Sequence, residues 1–202
     1  EVINYLYFKG EYDPKNDHGF IPAPAHRLDR NTSGLVCFAK NLVSLQELED
    51  LFKEKEEITK EYKALVVGKL VGEKHIDAPL KKDEKSGLVR VAKDGKNAET
   101  IVKSIGIYGN FTLLNVQILT GRTHQIRVHL SSIGYPVVGD SKYGDFKVNK
   151  EIKDKYKFEN QSDDAAFTIE LKSTPSNTTI DGNECRNMIE TFYVSVSPLT
   201  TD

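Results

Sequence analysis

Cysteine is scarce in this sequence, long apolar runs are missing, and neither sign of charge dominates. The two cysteines, Cys37 and Cys185, are too few for a disulfide scaffold, and they favour a reducing, cytoplasmic location. No stretch approaches the ~18 consecutive apolar residues of a membrane span, and the first residues form no basic-then-apolar secretory signal. The 28 Lys and Arg nearly balance the 30 Asp and Glu, so the net charge of −2 does not indicate a nucleic-acid partner.

Motifs for nucleotide cofactors and metals are also missing. Neither GxGxxG nor GxxxxGK[ST] occurs, so the sequence offers no phosphate-binding loop. The residues that could be imagined as a metal site are His26, His124 and His129 together with Asp29. However, His124 and His129 are five residues apart, which places them more than ~100° apart around an ideal helix. No cysteines stand at metal-ligand spacing, so we expect neither a metal nor another cofactor.

The chain has 202 residues, of which 38% are hydrophobic and 29% charged, as expected of one soluble globular domain over residues 1–202. Apolar periodicity and turn residues predict strands, a helix after an N-cap at Asn41, further strands, and a helix that ends at Gly134. The predicted segments are an irregular arm at 1–25, strands at 35–39, 59–70, 99–108 and 111–119, a charged hairpin or insertion at 73–97, strands at 165–171 and 191–196, and loops at 160–164 and 173–182. The dipeptide Gly109-Asn110 could close a hairpin between two of these strands. The apolar residues with helical spacing are Leu42, Leu45, Leu48, Leu51 and Phe52 in the first helix, and Ile126, Leu130 and Ile133 in the second. This order of strands and helices indicates an α+β fold with a largely antiparallel sheet.

Charge is unevenly distributed along the chain. Residues 101–150 contain six basic and two acidic residues, whereas residues 151–202 contain five basic and ten acidic residues. The near-neutral total therefore conceals a basic middle segment, which is also the part richest in polar motifs.

A first candidate site is the segment His-Arg-Leu-Asp-Arg-Asn-Thr-Ser-Gly at residues 26–34. Asp29 lies between Arg27 and Arg30 directly before the strand at 35–39, and neighbouring positive charge favours an ionised carboxylate. Such a carboxylate can act as a nucleophile. It can equally cap a turn through its side-chain oxygen, and the residues alone leave both interpretations open.

A second candidate is residues 120–129, where Arg122, His124, Gln125 and Arg127 stand at a predicted helix start. The free N–H groups and the positive dipole end at this position favour anions, and an arginine adds a planar fork suited to a carboxylate or phosphate. An ordinary helix with a polar, solvated face explains the same residues, so this alternative also stays open.

Three segments together resemble the RluA-type pseudouridine synthases. They are residues 26–34, the tripeptide Lys-Glu-Tyr at 60–62, and Thr-Gly-Arg-Thr-His-Gln-Ile-Arg-Val-His-Leu at 120–130, followed by Gly-Tyr-Pro-Val-Val-Gly-Asp at 134–140 and Tyr-Gly at 143–144. They occur in the family's order, and the similarity extends over roughly residues 1–172. Residues 173–202 follow no pattern of that family.

The resemblance implies roles for individual residues. It identifies Asp29 as the catalytic nucleophile and Arg122 as the arginine that pairs with it. It identifies Tyr62 as the tyrosine that stacks on the flipped base and is implicated in removing the C5 proton. It also makes a further set of residues candidates for RNA contacts: Arg27, Arg30, Lys60, His124, Gln125 and Arg127. Asp140 and Tyr143 are interpreted as structural turn residues.

The resemblance further implies a mixed, largely antiparallel sheet with flanking helices and a central active-site cleft. It also implies isomerisation of uridine in structured RNA without a metal or other cofactor, and a basic character of the cleft around Asp29 and Arg122. Large-subunit ribosomal RNA is the favoured partner, with transfer RNA as the alternative. Many relatives carry an N-terminal S4-type RNA-binding module, which was either removed from this chain or never present in it. We expect a monomer that binds no membrane.

Two other classes of function compete with this interpretation. A non-catalytic RNA-binding or ribosome-assembly factor could keep the same scaffold. An N-glycoside hydrolase would need a second carboxylate to act on water, and the matched segments offer none beside Asp29.

Overall fold

The computed structural model describes residues 2–29, 32–53, 58–156, 167–168 and 189–194. The chain divides into two compact units. The first contains Glu1–Leu28, Gly34–Ile58 and Thr174–Val194, and the second contains Asp29–Ser33, Thr59–Ser173 and Ser195–Asp202. The expectation of a single domain stays a prediction, and each unit is described by itself.

The described secondary structure consists of short helices and mostly antiparallel strands. The helices are α1 (Val2–Phe8), α2 (Leu42–Lys53), α3 (Gln125–Ser132) and α4 (Phe146–Tyr156). The strands are β1 (Ala23–Pro24), β2 (Thr32–Ala39), β3 (Lys60–Val67), β4 (Glu73–Asp77), β5 (Leu80–Lys82), β6 (Val89–Val91), β7 (Glu99–Tyr108), β8 (Phe111–Ile118), β9 (Phe167–Thr168) and β10 (Ile189–Val194). The predicted α+β class is confirmed. In the described part of the chain, no helix has both the length and the apolar character needed to span a membrane.

In the first unit, β1 and β10 pair antiparallel with β2, and Ala39 lies opposite both Ala23 and Ile189. The predicted cap of α2 is confirmed, because Asn41 Oδ1 accepts the N–H of Ser44 at 2.8 Å. Leu48 is buried as the helical periodicity predicts. Leu42, which the same periodicity assigned to the core, is 54% exposed because it is the first residue of the helix.

The N-terminal segment is more regular than predicted. Residues 1–25 were expected to be irregular throughout, but Val2–Phe8 form α1, with Leu6 fully buried. The turn residues that suggested an arm begin only at Gly10, where φ is +71°. Val2 and Leu6 are spaced i, i+4, which is the helical signal that those later turn residues outweighed.

The second unit is built on an antiparallel sheet with the order β3-β8-β7-β4. The predicted β7–β8 hairpin is confirmed and turns at Gly109, whose φ of +61° suits glycine. Within the charged segment 73–97, β4 joins the main sheet and β5 pairs with β6 in a separate hairpin.

Helix α3 packs into the core of this unit. Leu130 is fully buried, with Ile126 and Ile133 packed beside it, as the predicted apolar face requires. The helix is followed by Gly134 at φ +83°, which confirms the predicted end. The core residues of this cluster are Ala64, Val66, Leu70, Ile76, Val102, Leu114, Val116, Leu130 and Val137.

Helix α4 was not predicted. Asp145 caps it, because its Oδ1 accepts the N–H groups of Lys147 and Val148 at 3.0 Å. In the C-terminal region, β9 lies within the strand predicted at 165–171, and β10 begins two residues before the strand predicted at 191–196 and overlaps it. The loops predicted at 160–164 and 173–182 lie outside the described residues.

Candidate active site

Asp29 lies in the second unit, just before β2. Its carbonyl oxygen accepts the N–H of Thr32 at 3.0 Å. Its carboxylate is about one-third exposed, and Oδ2 lies 3.2 Å from Nη1 of Arg127. The side chain is therefore accessible to a substrate while a guanidinium group holds one of its oxygens.

Arg127 is itself held by a second carboxylate. Its Nε donates to Oδ2 of Asp140 at 2.7 Å, and its Nη2 donates to Oδ1 at 2.8 Å. This is the paired fork geometry that arginine makes with carboxylates. The Asp140 side chain is only 1% exposed, so the fork is anchored in the interior. Nη1 is left to point at Asp29.

The charges of Asp29, Arg127 and Asp140 stabilise each other. Burial alone would raise the pKa of Asp140, but hydrogen bonds from Arg127 and from the backbone N–H groups of Tyr143 and Lys142 lower that pKa below its ordinary value. Burial alone would lower the pKa of Arg127, but the contacts with Asp140 and then Asp29 raise that pKa above its ordinary value. Both residues are therefore ionised at neutral pH.

Tyr62 lies on β3, opposite Val116 of β8, and packs against the main core cluster of the second unit. Burial raises the pKa of Tyr62 to about 12, and the negative charge of Asp29 adds to this effect. Tyr62 therefore lies within the electrostatic range of the Asp29 carboxylate. At neutral pH Tyr62 offers an aromatic face and a protonated hydroxyl group.

His124 and Tyr143 are connected to Arg127 and through it to Asp29. Nδ1 of His124 lies 2.8 Å from the Tyr143 hydroxyl. The Tyr143 ring lies under the guanidinium of Arg127, with 5.1 Å between the guanidinium carbon and the ring centroid, a cation–π distance. Burial lowers the pKa of His124, which also senses the charges of Asp29 and Arg127. His124 is therefore a neutral imidazole near the carboxylate.

The predicted partner of Asp29 was the wrong arginine. Arg122 is exposed and its Nε donates to the carbonyl of Asn97 at 2.9 Å, whereas Arg127 makes the contact with Asp29. The reason is the start of α3 at Gln125: Arg122 precedes the helix, and Arg127 lies in its first turn, facing Asp140. A catalytic role for Arg122 stays a prediction, but pairing with Asp29 belongs to Arg127.

Gln125, predicted to contact RNA, is instead 3% exposed and fully engaged in the interior. Its Oε1 accepts from the Thr120 hydroxyl and from the N–H of Arg122, and its Nε2 donates to the Glu99 carbonyl and the Thr100 hydroxyl oxygen. Its four hydrogen-bonding positions are therefore used within the fold, so Gln125 is a structural residue rather than an RNA contact.

The Gln125 network continues to a buried histidine. The Thr100 hydroxyl lies 2.9 Å from Nδ1 of His129, and Nε2 of His129 donates to the Ala78 carbonyl at 2.8 Å. A carbonyl only accepts, so Nε2 carries the proton and Nδ1 accepts from Thr100. Burial lowers the pKa of His129, and the neutral ring links α3 to β7 and to the segment after β4.

This buried ring predicts an acid-sensitive fold. Because the pKa of His129 is lower in the folded than in the unfolded chain, the unfolded chain binds the extra proton first. Stability should be complete above the ordinary histidine pKa of about 6.5 and should fall as pH decreases below it. Chemical denaturation from pH 7.5 to 5 measures this slope.

The matched variants for that experiment are His129→Gln and His18→Gln. The first should lower stability and flatten the slope, leaving the contribution of His124, while the second changes an exposed side chain and is the control for the substitution itself. An unchanged slope in His129→Gln would contradict the assignment.

Three further residues, Lys60, Arg27 and Arg30, were predicted to contact RNA. Lys60 lies at the start of β3 on the same face as Tyr62, and burial lowers its pKa. Arg27 is exposed in the first unit, and Arg30 lies outside the described residues. Roles for all three in RNA binding stay predictions. Within the described ranges, no three His, Cys, Asp or Glu side chains cluster as metal ligands would.

Asp140 and Tyr143 were interpreted as structural turn residues, so their part in the site was missed. Asp140 does shape a turn, with the N–H groups of Lys142 and Tyr143 donating to its Oδ1, but it also fixes Arg127. Gly144 makes this turn possible, since a Cβ at this position would clash with the Asp140 carbonyl oxygen. The available signal was an aspartate placed between apolar residues and a glycine-bounded turn.

Comparison with known proteins agrees with this site. Residues 1–132 match the family described as RNA pseudouridylate synthase. An uncharacterized RNA pseudouridine synthase of Chloroflexus aurantiacus is 44% identical over 61% of this chain and 39% of its own length. Ribosomal large subunit pseudouridine synthase C of Vibrio cholerae is 43% identical over 59% and 38%, respectively. Ribosomal large subunit pseudouridine synthase D of Buchnera aphidicola is 40% identical over 68% and 46%.

Solved structures show the same fold. Human RNA Pseudouridylate Synthase Domain Containing 1 superposes with a TM-score of 0.62 at 25% identity, over 77% of this chain and 69% of that one. Human RNA Pseudouridylate Synthase Domain Containing 4 gives 0.63 at 21% identity, over 85% and 71%, and supports the fold alone.

The α+β fold and the Asp29–Arg127 pair agree with the class of protein that the sequence match identifies. The chain belongs to the RNA pseudouridylate synthase family, and within it to the RluA type. It spans less than half the length of the three curated relatives named above.

Proposed function

We propose that this chain carries the catalytic centre of an RNA pseudouridine synthase that isomerises uridine in structured RNA, with Asp29 as the nucleophile. The observation that carries the proposal is the contact between the accessible Asp29 carboxylate and the anchored Arg127 guanidinium.

The reaction fits such a site because substrate and product are isomers. The bond between N1 of uracil and C1′ of ribose breaks, and a bond between C5 and C1′ forms. C5 loses a proton and N1 gains one, so the atoms balance without an oxidant or reductant. The protein must position a nucleophile, retain the detached base and exclude water.

Asp29 and Arg127 provide the first of these requirements. The Arg127 contact orients the Asp29 carboxylate and leaves its other oxygen for the substrate. Because Asp140 holds Arg127 through two hydrogen bonds, the guanidinium need not reorganise when the carboxylate reacts. Arg127 is therefore better suited to positioning Asp29 than to binding an RNA phosphate.

Tyr62 suits retention of the base. Its ring stands at the edge of a packed core, where a flipped base can stack, and aromatic stacking contributes about 1–3 kcal/mol per base. A pKa of about 12 keeps the phenol protonated at neutral pH, which favours stacking and hydrogen-bond donation over removal of the C5 proton.

Substitution of Tyr62 separates these two contributions. Tyr62→Phe should keep RNA affinity within about threefold, because the ring stays, and lower the isomerisation rate about tenfold through loss of the hydroxyl. Tyr62→Leu should lose affinity as well. Tyr135→Phe, which removes a hydroxyl from another tyrosine packed on the same core cluster, is the control. Wild-type rates in Tyr62→Phe would exclude a role for the hydroxyl.

The target RNA is proposed from relatives. The Vibrio cholerae and Buchnera aphidicola proteins are named as ribosomal large subunit synthases, so we propose large-subunit ribosomal RNA as the substrate of this chain. Pseudouridine mapping of total RNA from cells with and without the gene tests the reaction and the target together. Loss of a site in transfer RNA alone would replace the ribosomal target, and an unchanged map would contradict the proposed activity.

Hydrolysis of the glycosidic bond is the chemically closest rival. It requires a second carboxylate that can activate water. Asp140 is near, but Arg127 occupies both of its oxygens and its side chain is buried, so it cannot take this role. Free uracil among the products would favour hydrolysis, whereas pseudouridine without uracil supports the synthase.

A further inference from the structure

Tyr143 makes four contacts that join separate pieces of the second unit. Its hydroxyl oxygen accepts the N–H of Val89 on β6 at 2.9 Å and lies 2.8 Å from Nδ1 of His124. Its ring makes a cation–π contact with the Arg127 guanidinium, and its backbone N–H donates to Oδ1 of Asp140 at 3.0 Å. The β5–β6 hairpin, the start of α3 and the Asp140 turn therefore meet at one side chain.

His124 needs such a contact. Its backbone has φ +54° and ψ +20°. Among the described residues that are not glycine, His124 is the single one with positive φ. Left-handed conformations at non-glycine residues are costly and persist where the surroundings impose them. His124 makes no side-chain cap to α3, so its side-chain hydrogen bond within the described structure is the one with Tyr143.

The other nitrogen of His124 is available to a substrate. Among the described residues, Nε2 of His124 has no hydrogen-bond partner. Every buried side-chain nitrogen or oxygen of these residues does have a partner. Nε2 is therefore not buried and is open to solvent. Tyr143 contacts both His124 and Arg127, and Arg127 contacts Asp29, so the His124 ring is connected to the proposed nucleophile through two side chains.

We propose that Tyr143 is a positioning residue for the isomerisation: its hydroxyl holds His124 with Nε2 directed to the bound nucleotide, while its ring supports Arg127 against Asp29. The β5–β6 hairpin contributes through Val89, whose N–H occupies one acceptor position of the hydroxyl oxygen. This inference rests on the proposed function and extends it to a residue that makes no contact with Asp29 in the described hydrogen bonds.

The decisive variant is Tyr143→Phe, which keeps the ring under Arg127 and removes the hydroxyl. Loss of one neutral hydrogen bond predicts an isomerisation rate about 3- to 10-fold lower under single-turnover conditions, with the melting temperature near that of the wild type. Tyr143→Leu also removes the ring and should be slower still. Tyr108→Phe, at an exposed tyrosine of β7, is the matched control and should keep the wild-type rate.

A double-mutant cycle with His124→Ala distinguishes positioning from general destabilisation. If the hydroxyl acts through His124, Tyr143→Phe should have no further effect on the rate in the His124→Ala background. Additive effects of the two substitutions would overturn the proposal.

A second readout does not depend on activity. Long-range ¹H–¹⁵N correlation spectra of the full chain should show one tautomer for His124 in the wild type and a mixture in Tyr143→Phe. An unchanged tautomer in the variant overturns the proposal even if pseudouridine forms normally. A wild-type protein that forms no pseudouridine but shows the tautomer change contradicts the proposed function and leaves the Tyr143–His124 contact established.

Discussion

Asp29→Asn should abolish pseudouridine formation, with a loss of ~10³-fold or more, because the amide lacks the charge and nucleophilicity of the carboxylate. The fold should survive, since the pair with Arg127 is partly exposed and such pairs contribute about 1 kcal/mol or less. RNA affinity should stay at the wild-type level or rise slightly, because a negative charge is removed from the site. Pseudouridine assays and RNA-binding titrations on the same preparation measure both.

The control is Asp154→Asn, which makes the same isosteric change on the exposed surface of α4 and should leave activity unchanged. Appreciable activity in pure Asp29→Asn would remove Asp29 as the nucleophile. If cells that carry only Asp29→Asn keep the cellular function without the modification, the non-catalytic RNA-binding role becomes the better account.

Arg127→Lys should reduce the isomerisation rate by ~10²-fold. Lysine keeps the positive charge but cannot hold both oxygens of Asp140 and contact Asp29 with a third N–H, so Asp29 loses its orientation. The variant should also lose about 1–3 kcal/mol of unfolding free energy, because the buried Asp140 keeps a less complete set of hydrogen bonds. Single-turnover rates and chemical denaturation separate the two effects.

Arg122→Lys is the matched control for this experiment. Arg122 is exposed and its side chain donates to the Asn97 carbonyl, so the same substitution should change the rate by no more than about threefold. The opposite ranking, with Arg122→Lys severely impaired and Arg127→Lys nearly normal, would restore the pairing that the sequence predicted for Arg122.

Local features were well predicted where neighbouring residues decide them. The Asn41 cap, the turn at Gly109 and the end of α3 at Gly134 depend on a few adjacent side chains and on backbone conformations that few residue types adopt. Helix α1 was missed because its apolar spacing is short and turn residues follow at once. The family and Asp29 as its candidate nucleophile were reached through motif order.

The partner of that nucleophile was beyond the reach of sequence. Arg122 and Arg127 are chemically identical and five residues apart, and the choice between them depends on where α3 begins and on which residue faces the buried Asp140. Gln125 was misassigned for the same reason, since its partners Glu99 and Thr100 come from strand β7, far away in the sequence. The sequence by itself determined the fold class, the family and the residue types of the site. The tertiary structure decided which of those side chains meet, because hydrogen bonds across 13 to 98 residues of sequence separation depend on how the elements pack.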